Sequence, residues 1–174
     1  MQNIELFKNN AKQIIKQIFL DIISNNSRNN ISSFSLDTDE NASSISVSYN
    51  TFEYFNEKCI EDPQEDKEYY LWYPPEWQVE GVESIELDNL SRELFDKSNE
   101  SNEKELLETL FSILVELRKE KLFKDMNDNF VLCFHISDYA NLEQEIFWNK
   151  CINNENIAKD FETWRRRVEI NYQE

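Results

Sequence analysis

The segment Tyr69–Trp77, which reads YYLWYPPEW, restricts the possible folds more than any other part of the chain. Its Pro74-Pro75 pair fixes two φ angles and removes two backbone donors, so neither a helix interior nor a central strand can run through it. The segment also holds three of the seven tyrosines and two of the four tryptophans. A rigid aromatic turn suits a corner of the core or an anchor for a partner, and we favour the core. We expect Tyr69–Tyr73 to be a strand that leads into the turn.

Length and composition predict one globular domain that covers residues 1–174. The chain is 40% apolar and 13% aromatic, which is a globular composition and not a disordered one. The single glycine, Gly81, excludes a glycine-rich phosphate-binding loop, because such loops need several glycines for close backbone approach. We therefore predict no cofactor.

The net charge of −17 and the isoelectric point near 4.4 restrict the possible partners. Such a chain repels nucleic acid and anionic membranes and attracts basic surfaces. We therefore expect neither a nucleic-acid nor a membrane partner. An acidic surface also keeps many proteins soluble, so the charge alone names no partner.

The N-terminal segment and the cysteines together predict a cytoplasmic protein. Charged residues such as Glu5 and Lys8 interrupt the apolar positions near the N-terminus, so this stretch is not a targeting or membrane-spanning segment. The three cysteines, Cys59, Cys133 and Cys151, are odd in number and lack a CxxC spacing. We expect them to be reduced thiols.

Apolar residues at three- and four-residue steps predict several amphipathic helices. The first is about five turns long, and its inward positions are Ile4, Phe7, Ala11, Ile14, Ile15, Ile18, Phe19 and Ile22. The same spacing predicts helices within 87–95, 106–117 and 142–147, and from about Glu155 onward. Thr51 is a candidate N-cap for a short helix, and Asn141 or Ser137 for a later one.

Three further segments have the alternation or apolar character of strands. Ile31–Asp37 and Ser44–Tyr49 each present one apolar face, which predicts an antiparallel hairpin. Phe130–Ser137 (FVLCFHIS) is apolar on both faces, which predicts a central strand covered on both sides. With Tyr69–Tyr73, these strands predict an α+β fold, in which amphipathic helices pack against a small, mainly antiparallel sheet.

Cys133 and His135 are the only pair that suggests catalytic or metal chemistry. They lie two residues apart on one predicted strand face, and His135 is the only histidine in the sequence. Such a pair can form part of a metal site or act as nucleophile and base, with Asp138 close by, but no further metal ligand is indicated. We favour a partly buried structural histidine and predict no metal site, no catalytic residue and no enzyme. A small cysteine-dependent enzyme is the alternative.

Two acidic segments, Glu61–Glu68 and Glu80–Glu86, flank the aromatic segment. The first lacks the alternating ligand positions and central glycine of a calcium-binding hand, so we favour a solvated loop over a metal site. Acidic surfaces of this kind attract basic proteins. The candidate partner-binding residues are Glu61, Asp62, Glu65, Asp66, Tyr70, Tyr73, Glu80, Glu83 and Glu86.

Several motifs together resemble a family of uncharacterised bacterial domains marked by a W-x-P-x-E-W segment. They are an amphipathic first helix, FSLDTD, an alternating strand that ends in Asn50-Thr51, LWYPPEW and FVLCFHISD. Trp72, Pro74, Glu76 and Trp77 occupy the positions of the W-x-P-x-E-W pattern. Families of this kind occur among immunity genes beside polymorphic or contact-dependent toxins. The resemblance implies a cytosolic protein that neutralises one toxin domain, and it supplies no catalytic residues.

Electrostatics agrees with this implication. Many antibacterial toxins are nucleases, whose active surfaces are basic because they hold phosphate backbones. An acidic inhibitor resembles the substrate's field and is steered rapidly to such a surface. We therefore expect an immunity protein that occludes its cognate toxin stoichiometrically, without turnover. An adaptor that recognises another basic partner through the same acidic face is a second alternative.

Overall fold

A computed structural model describes residues 2–98 and 103–172, and over these ranges it contains seven α-helices and three strands. This architecture confirms the α+β class. In chain order the elements are α1 (Gln2–Asn25), β1 (Ile31–Asp39), β2 (Ser46–Thr51), α2 (Phe52–Glu61), α3 (Lys67–Trp72), α4 (Ile85–Ser98), α5 (Glu103–Lys119), β3 (Val131–Ser137), α6 (Leu142–Ile152) and α7 (Glu155–Tyr172). Within the described ranges, every helix is too short or too polar to cross a bilayer.

The sheet has the strand order β2-β1-β3, with β1 antiparallel to β2 and parallel to β3. The predicted hairpin is confirmed, but the sheet is mixed and the prediction of a central Phe130–Ser137 strand is wrong. The central strand is β1, whose first eight residues are all buried. The serine side chains of β1 are small enough to be buried on either face of the sheet. The strand therefore lacks the continuous run of apolar residues by which central strands are normally recognised.

The predicted strand Tyr69–Tyr73 is also wrong, because this segment lies in α3 and Tyr73 caps its C-terminus. The Asp66 carboxylate accepts a hydrogen bond from the Glu68 amide at 3.1 Å and so caps the start of α3. This N-cap outweighs the strand preference of the aromatic residues. The proline pair then opens a 3-10 turn, Pro74–Glu76, where missing backbone donors cost little.

Other helix starts follow the sequence signals. The Thr51 hydroxyl accepts a hydrogen bond from the Tyr54 amide at 3.2 Å and caps α2. The Asn141 side chain accepts one from the Gln144 amide at 3.1 Å and caps α6. Both interactions satisfy backbone donors that have no partner inside the first helical turn.

The main core lies on the apolar face of the sheet. Phe34 and Leu36 of β1, Val47 of β2 and Leu132 of β3 pack there against α1, α4 and α5. The predicted stripe of α1 is confirmed, since Ile4 and Ile14 are partly buried against the core and the other members are buried: Phe7, Ala11, Ile15, Ile18, Phe19 and Ile22. Burial of this stripe and of the α5 leucines accounts for the strength of the helical periodicity.

The opposite face of the sheet is largely polar along β1 and β2. Parallel pairing sets Ser33 beside Val131, Ser35 beside Cys133, and Asp37 beside His135. A second core lies near this face and comprises Trp72, Trp77, Val131, Cys133, Ile146, Ile157, Phe161 and Trp164. The tryptophans of the aromatic segment therefore belong to the core, as we expected.

Candidate functional site

A cavity of about 900 Å³ lies beside the second core and is the candidate functional site. Its walls come from the Glu65–Tyr73 region, the end of β3, α6 and α7. Its size falls in the range of ligand pockets, roughly 300–1,000 Å³. Aromatic side chains make up much of the wall and include Tyr69, Trp72, Tyr73, Trp148, Phe161 and Trp164.

Asp37 is a buried carboxylate behind the β3 wall, and no sequence motif indicates its burial. The hydroxyls of Ser35 and Ser48 donate hydrogen bonds to it, and the Gly81 amide donates to Ser48 Oγ at 3.1 Å. Burial raises the pKa of Asp37 to about 6; the two hydroxyls lower this pKa, and the charge of Glu80 raises it. Asp37 therefore gains or loses its proton near pH 6, where ordinary aspartates stay ionised.

His135 lies next to Asp37 on the edge strand. Its Nδ1 is 3.9 Å from Oδ1 of Asp37, which is too far for a hydrogen bond. The Tyr73 ring packs edge-on against the imidazole, with ring centroids 5.7 Å apart. Burial lowers the pKa of His135 to about 4, so the ring is neutral at pH 7. The expectation of a partly buried histidine is confirmed, because its side chain is 23% exposed.

Cys133 precedes His135 by two residues and is buried. Burial, followed by the nearby charge of Asp37, raises the pKa of the thiol far above its ordinary value. A nucleophilic cysteine needs the opposite shift, so this environment argues against a cysteine-dependent enzyme. Asp138, the third member of that alternative, is exposed and adopts a φ of 60° just after β3.

The structure brings four of the nine predicted partner-binding residues to one site. Glu65, Asp66, Tyr73 and Glu80 all line the cavity. The other acids lie outside its lining and are exposed: Glu61 and Asp62 at the end of α2, and Glu83 and Glu86 at the start of α4. Among the side chains of residues 2–98 and 103–172, no group of three His, Cys, Asp or Glu is placed to hold a metal ion.

Tyr70, the ninth predicted partner residue, differs from Tyr73 in its exposure. Tyr70 is only 8% exposed, and its helix α3 packs against α2. Its backbone carbonyl accepts a hydrogen bond from the Asn50 side chain at 3.2 Å, which ties α3 to β2. Of the two tyrosines, only the half-buried Tyr73 presents substantial surface to a partner.

Carboxylates outnumber cations around the cavity. Among the described residues its lining contains one arginine, Arg165. Arg165 Nε donates to Glu145 at 2.7 Å and Nη1 donates to Glu169 at 3.3 Å. Burial raises the pKa of Glu145 even though Arg165 opposes this shift. The acidic lining residues are Glu65, Asp66, Glu80, Asp138, Glu145 and Glu169, so the site has a net negative charge.

Arginines of α7 hold this helix in place as a cavity wall. Arg166 Nη1 donates to Glu143 of α6 at 2.7 Å, and Arg167 Nη2 donates to Glu68 of α3 at 2.9 Å. Arg167 also pairs with Asp66. These ion pairs neutralise the positive charge of the Arg165–Arg167 run, so the run does not form a basic patch for nucleic acid.

Three cavity-lining residues hold buried polar atoms that have no hydrogen-bond partner among the described residues. These atoms are the indole Nε1 of Trp72, the indole Nε1 of Trp164 and Oδ1 of Asn149. The three residues are 4%, 6% and 5% exposed. Leaving a buried donor or acceptor unpaired costs about 1–3 kcal/mol, and such atoms are uncommon in folded proteins. Three residues of this wall therefore retain unused hydrogen-bonding capacity.

A protein-family model covers most of the chain. It is described as Domain of unknown function (DUF4303) and matches residues 11–154. The matched region contains the three strands, the aromatic segment and α6, and it ends just before α7. Comparison with curated proteins and with solved structures finds no match. The chain therefore belongs to the DUF4303 family, which confirms the expectation of an uncharacterised domain family.

Proposed function

We propose that this protein is a cytoplasmic immunity protein that binds one basic bacterial toxin domain and neutralises it by stoichiometric occlusion. The observation that carries the proposal is the concentration of carboxylates around an aromatic-walled cavity. Aromatic side chains supply contact area at low entropic cost, and carboxylates supply complementarity to a basic partner. Together they are the components of a protein-binding surface.

Long-range electrostatics supports rapid binding. A net charge of −17 produces a negative field over much of the surface. Such a field steers a basic partner, so that association approaches about 10⁸–10⁹ M⁻¹s⁻¹ at low salt. An immunity protein benefits from this rate, because the toxin must be bound before it reaches its target.

In this proposal the interface is the cavity rim with the acids that flank it. Glu65, Glu80 and Tyr73 belong to the rim. The exposed carboxylates of Glu83 and Glu86 extend the acidic surface toward α4, and those of Glu61 and Asp62 extend it toward α2. A rim of exposed charges around an aromatic centre is the usual arrangement of a protein interface.

The chemistry beside the cavity favours binding over turnover. The Cys133 thiol has a raised pKa, and His135 does not form a hydrogen bond with Asp37. Catalysis by these groups would need a thiolate and an oriented base. Occlusion needs neither of them.

The aromatic segment supports the binding surface in this proposal. Trp72, Pro74 and Trp77 are buried, and they hold Tyr73 at the cavity. The W-x-P-x-E-W pattern would then mark a scaffold for the rim, in keeping with its resemblance to immunity-gene families.

The proposal predicts a toxin gene beside this protein's own gene, and the test uses the toxin domain that such a gene encodes. Co-expression in a bacterial host should restore growth, and light scattering of the purified mixture should show one toxin bound per chain. Failure to bind any toxin from that neighbourhood would contradict the proposal. A covalently altered toxin after incubation, detected by mass spectrometry, would contradict the stoichiometric mechanism.

A further inference from the structure

The aromatic wall of the cavity contains two stacked ring pairs. Tyr69 and Tyr73 have ring centroids 5.0 Å apart at an interplanar angle of 22°. Tyr139 and Trp148, on the β3–α6 side, have centroids 5.5 Å apart at 25°. Ring faces carry negative electrostatic potential and attract cations, most strongly where water is excluded. The wall therefore suits an organic cation.

The charge around these rings has the sign that a cation requires. Six carboxylates and one arginine line the cavity in the described residues. Arg165 is already paired with Glu145 and Glu169. Within residues 2–98 and 103–172 the exposed Glu80 and Asp138 have no ion-pair partner, so they add uncompensated negative charge at the site. Phosphorylated or carboxylated ligands are repelled by this arrangement, and cationic ligands are attracted.

The unpaired polar atoms of three lining residues describe the ligand further, although each atom is buried and a side-chain rearrangement must expose it before a ligand can bind it. Asn149 Oδ1 is an acceptor and needs a donor, whereas the indole N–H groups of Trp72 and Trp164 need acceptors. A simple amine or metal ion offers no acceptor. A basic residue within a peptide offers both, because its side chain and amide donate while its backbone carbonyls accept.

We infer that the cavity receives one basic side chain, with arginine preferred, presented by a peptide segment of the partner protein. The inference rests on the proposed function, since it names the part of the toxin that enters this site. Arginine is preferred over lysine because its planar guanidinium stacks on aromatic rings and pairs with carboxylates through two parallel hydrogen bonds. A cavity of about 900 Å³ has room for such a side chain and its flanking backbone.

The first experiment compares two probes of the same shape. These are N-acetyl-arginine methylamide and the corresponding citrulline derivative, in which a neutral urea replaces the guanidinium. Calorimetry and the indole N–H signals of the tryptophans report binding to the free protein. We expect the arginine probe to bind and to shift the Trp72 and Trp164 signals, and the citrulline probe to bind about tenfold more weakly. Equal affinities, or no binding of the arginine probe at roughly 10 mM, would overturn the inference.

Matched variants then locate the binding. Glu80→Gln removes one exposed carboxylate at the cavity, and Glu105→Gln removes one exposed carboxylate on α5. We expect Glu80→Gln to weaken the arginine probe about threefold or more and to leave the citrulline probe unchanged. Glu105→Gln should affect neither probe. Equal effects of the two variants on the arginine probe would contradict binding at the cavity.

A third probe distinguishes a peptide segment from a free cationic metabolite. Butylguanidine has the guanidinium of arginine and the same single charge as the arginine probe but lacks backbone carbonyls, so it offers no acceptors to the two indoles. We expect butylguanidine to bind more weakly than the arginine probe. Tighter binding of butylguanidine would overturn the peptide source and identify a small organic cation as the occupant.

These experiments need no toxin and so separate the two proposals. If the neighbouring toxin is neutralised but the arginine probe does not bind, only the cavity inference fails. If the probe binds as described but no toxin is bound, the proposed function fails, and the peptide-presented arginine must come from a different protein.

Discussion

His135 Nδ1 lies 3.9 Å from Asp37 Oδ1 across the parallel pairing of β1 and β3. Both side chains are largely removed from water, and burial moves their pKa values in opposite directions. The pKa of Asp37 rises to about 6 and that of His135 falls to about 4. The pair is therefore neutral over part of the acidic range, in contrast to the same residues in an unfolded chain.

The first prediction concerns the pH dependence of stability. Because the pKa of Asp37 is raised, this residue contributes most to the free energy of unfolding below about pH 3.8. The contribution is lost as pH rises through about 6. The lowered pKa of His135 gives the opposite trend, with stability gained as pH rises from about 4 to 6.5. The two trends oppose each other, so we expect this pair to contribute little net pH dependence between pH 4 and 6.5.

Single substitutions should reveal each trend. Asp37→Asn should make the free energy of unfolding rise more steeply with pH than in the wild type between about 4 and 6, because the contribution of Asp37 that falls with pH is removed. His135→Gln should shift the slope the other way between about 4 and 6.5, because the contribution of His135 that rises with pH is removed. Urea denaturation of the wild type and both variants at several pH values measures the slopes. Changes of the same sign relative to the wild type in the two variants would contradict the account.

The second prediction concerns Trp77, which is 4% exposed in the second core. Trp77→Ala should lower the free energy of unfolding by about 3–5 kcal/mol, because it removes a large buried ring and leaves a cavity. Trp77→Phe keeps an aromatic ring and removes the unpaired indole N–H, so it should cost clearly less. Loss of toxin binding at unchanged stability in Trp77→Ala would place this residue in the interface instead.

The third prediction concerns the pair formed by Arg165 and Glu145, whose side chains are 17% and 19% exposed. Arg165→Met should destabilise the fold by about 2–3 kcal/mol at pH 7, because a poorly solvated carboxylate loses its partner. The loss should shrink as pH falls and Glu145 becomes protonated. Adding Glu145→Gln should recover part of the stability.

Arg166→Met is the matched control for Arg165→Met. The Arg166 side chain is 43% exposed, and its pairs with Glu143 and Glu162 lie near solvent. Solvent-exposed ion pairs contribute less than about 1 kcal/mol, so this variant should unfold near the wild-type midpoint. Equal losses in the two variants would show that burial of the Glu145 carboxylate is not the cause.

The fourth prediction concerns the thiols. A colorimetric disulfide reagent should modify the exposed Cys151 rapidly and the buried Cys133 only on unfolding, since burial raises the pKa of the Cys133 thiol. Cys151→Ser should remove the fast phase and leave a slower phase from the half-buried Cys59, whose pKa burial raises. Rapid modification of Cys133 in the folded protein at pH 7 would revive the cysteine-dependent alternative.

The helices were predictable because their burial is one-sided. The apolar stripes of α1 and α5 face one core, so periodicity indicates both the element and its inward residues. The strand order of the sheet was not predictable, because the serines of β1 lack the apolar character by which a central strand is recognised. The Asp66 cap makes Tyr69–Trp72 helical, although these aromatic residues favour strands.

The candidate site was only partly predictable. Acidic residues such as Glu65 and Glu80 are recognisable in the sequence because they lie in charged segments. The sequence does not show that Asp37 is buried beside His135. That contact depends on the parallel pairing of β1 and β3, which are far apart in the chain. The role of α7 as a cavity wall likewise depends on ion pairs between distant residues, such as Arg167 with Glu68.

The fifth prediction concerns association with the proposed toxin partner, and it compares two triple charge reversals. The first changes Glu80, Glu83 and Glu86 to lysine beside the cavity. The second changes Glu103, Glu105 and Glu108 to lysine on the exposed face of α5. Both alter the net charge equally, so a difference between them reports the position of the interface and not the total charge.

The most direct test of an acidic toxin-binding surface is the association rate of these two variants with the neighbouring toxin at low and high salt. We predict that the first triple variant associates about tenfold or more slowly at low salt and loses much of the salt dependence. The second should keep a rate and salt slope close to those of the wild type. An unchanged rate and salt slope in the first variant would contradict the account.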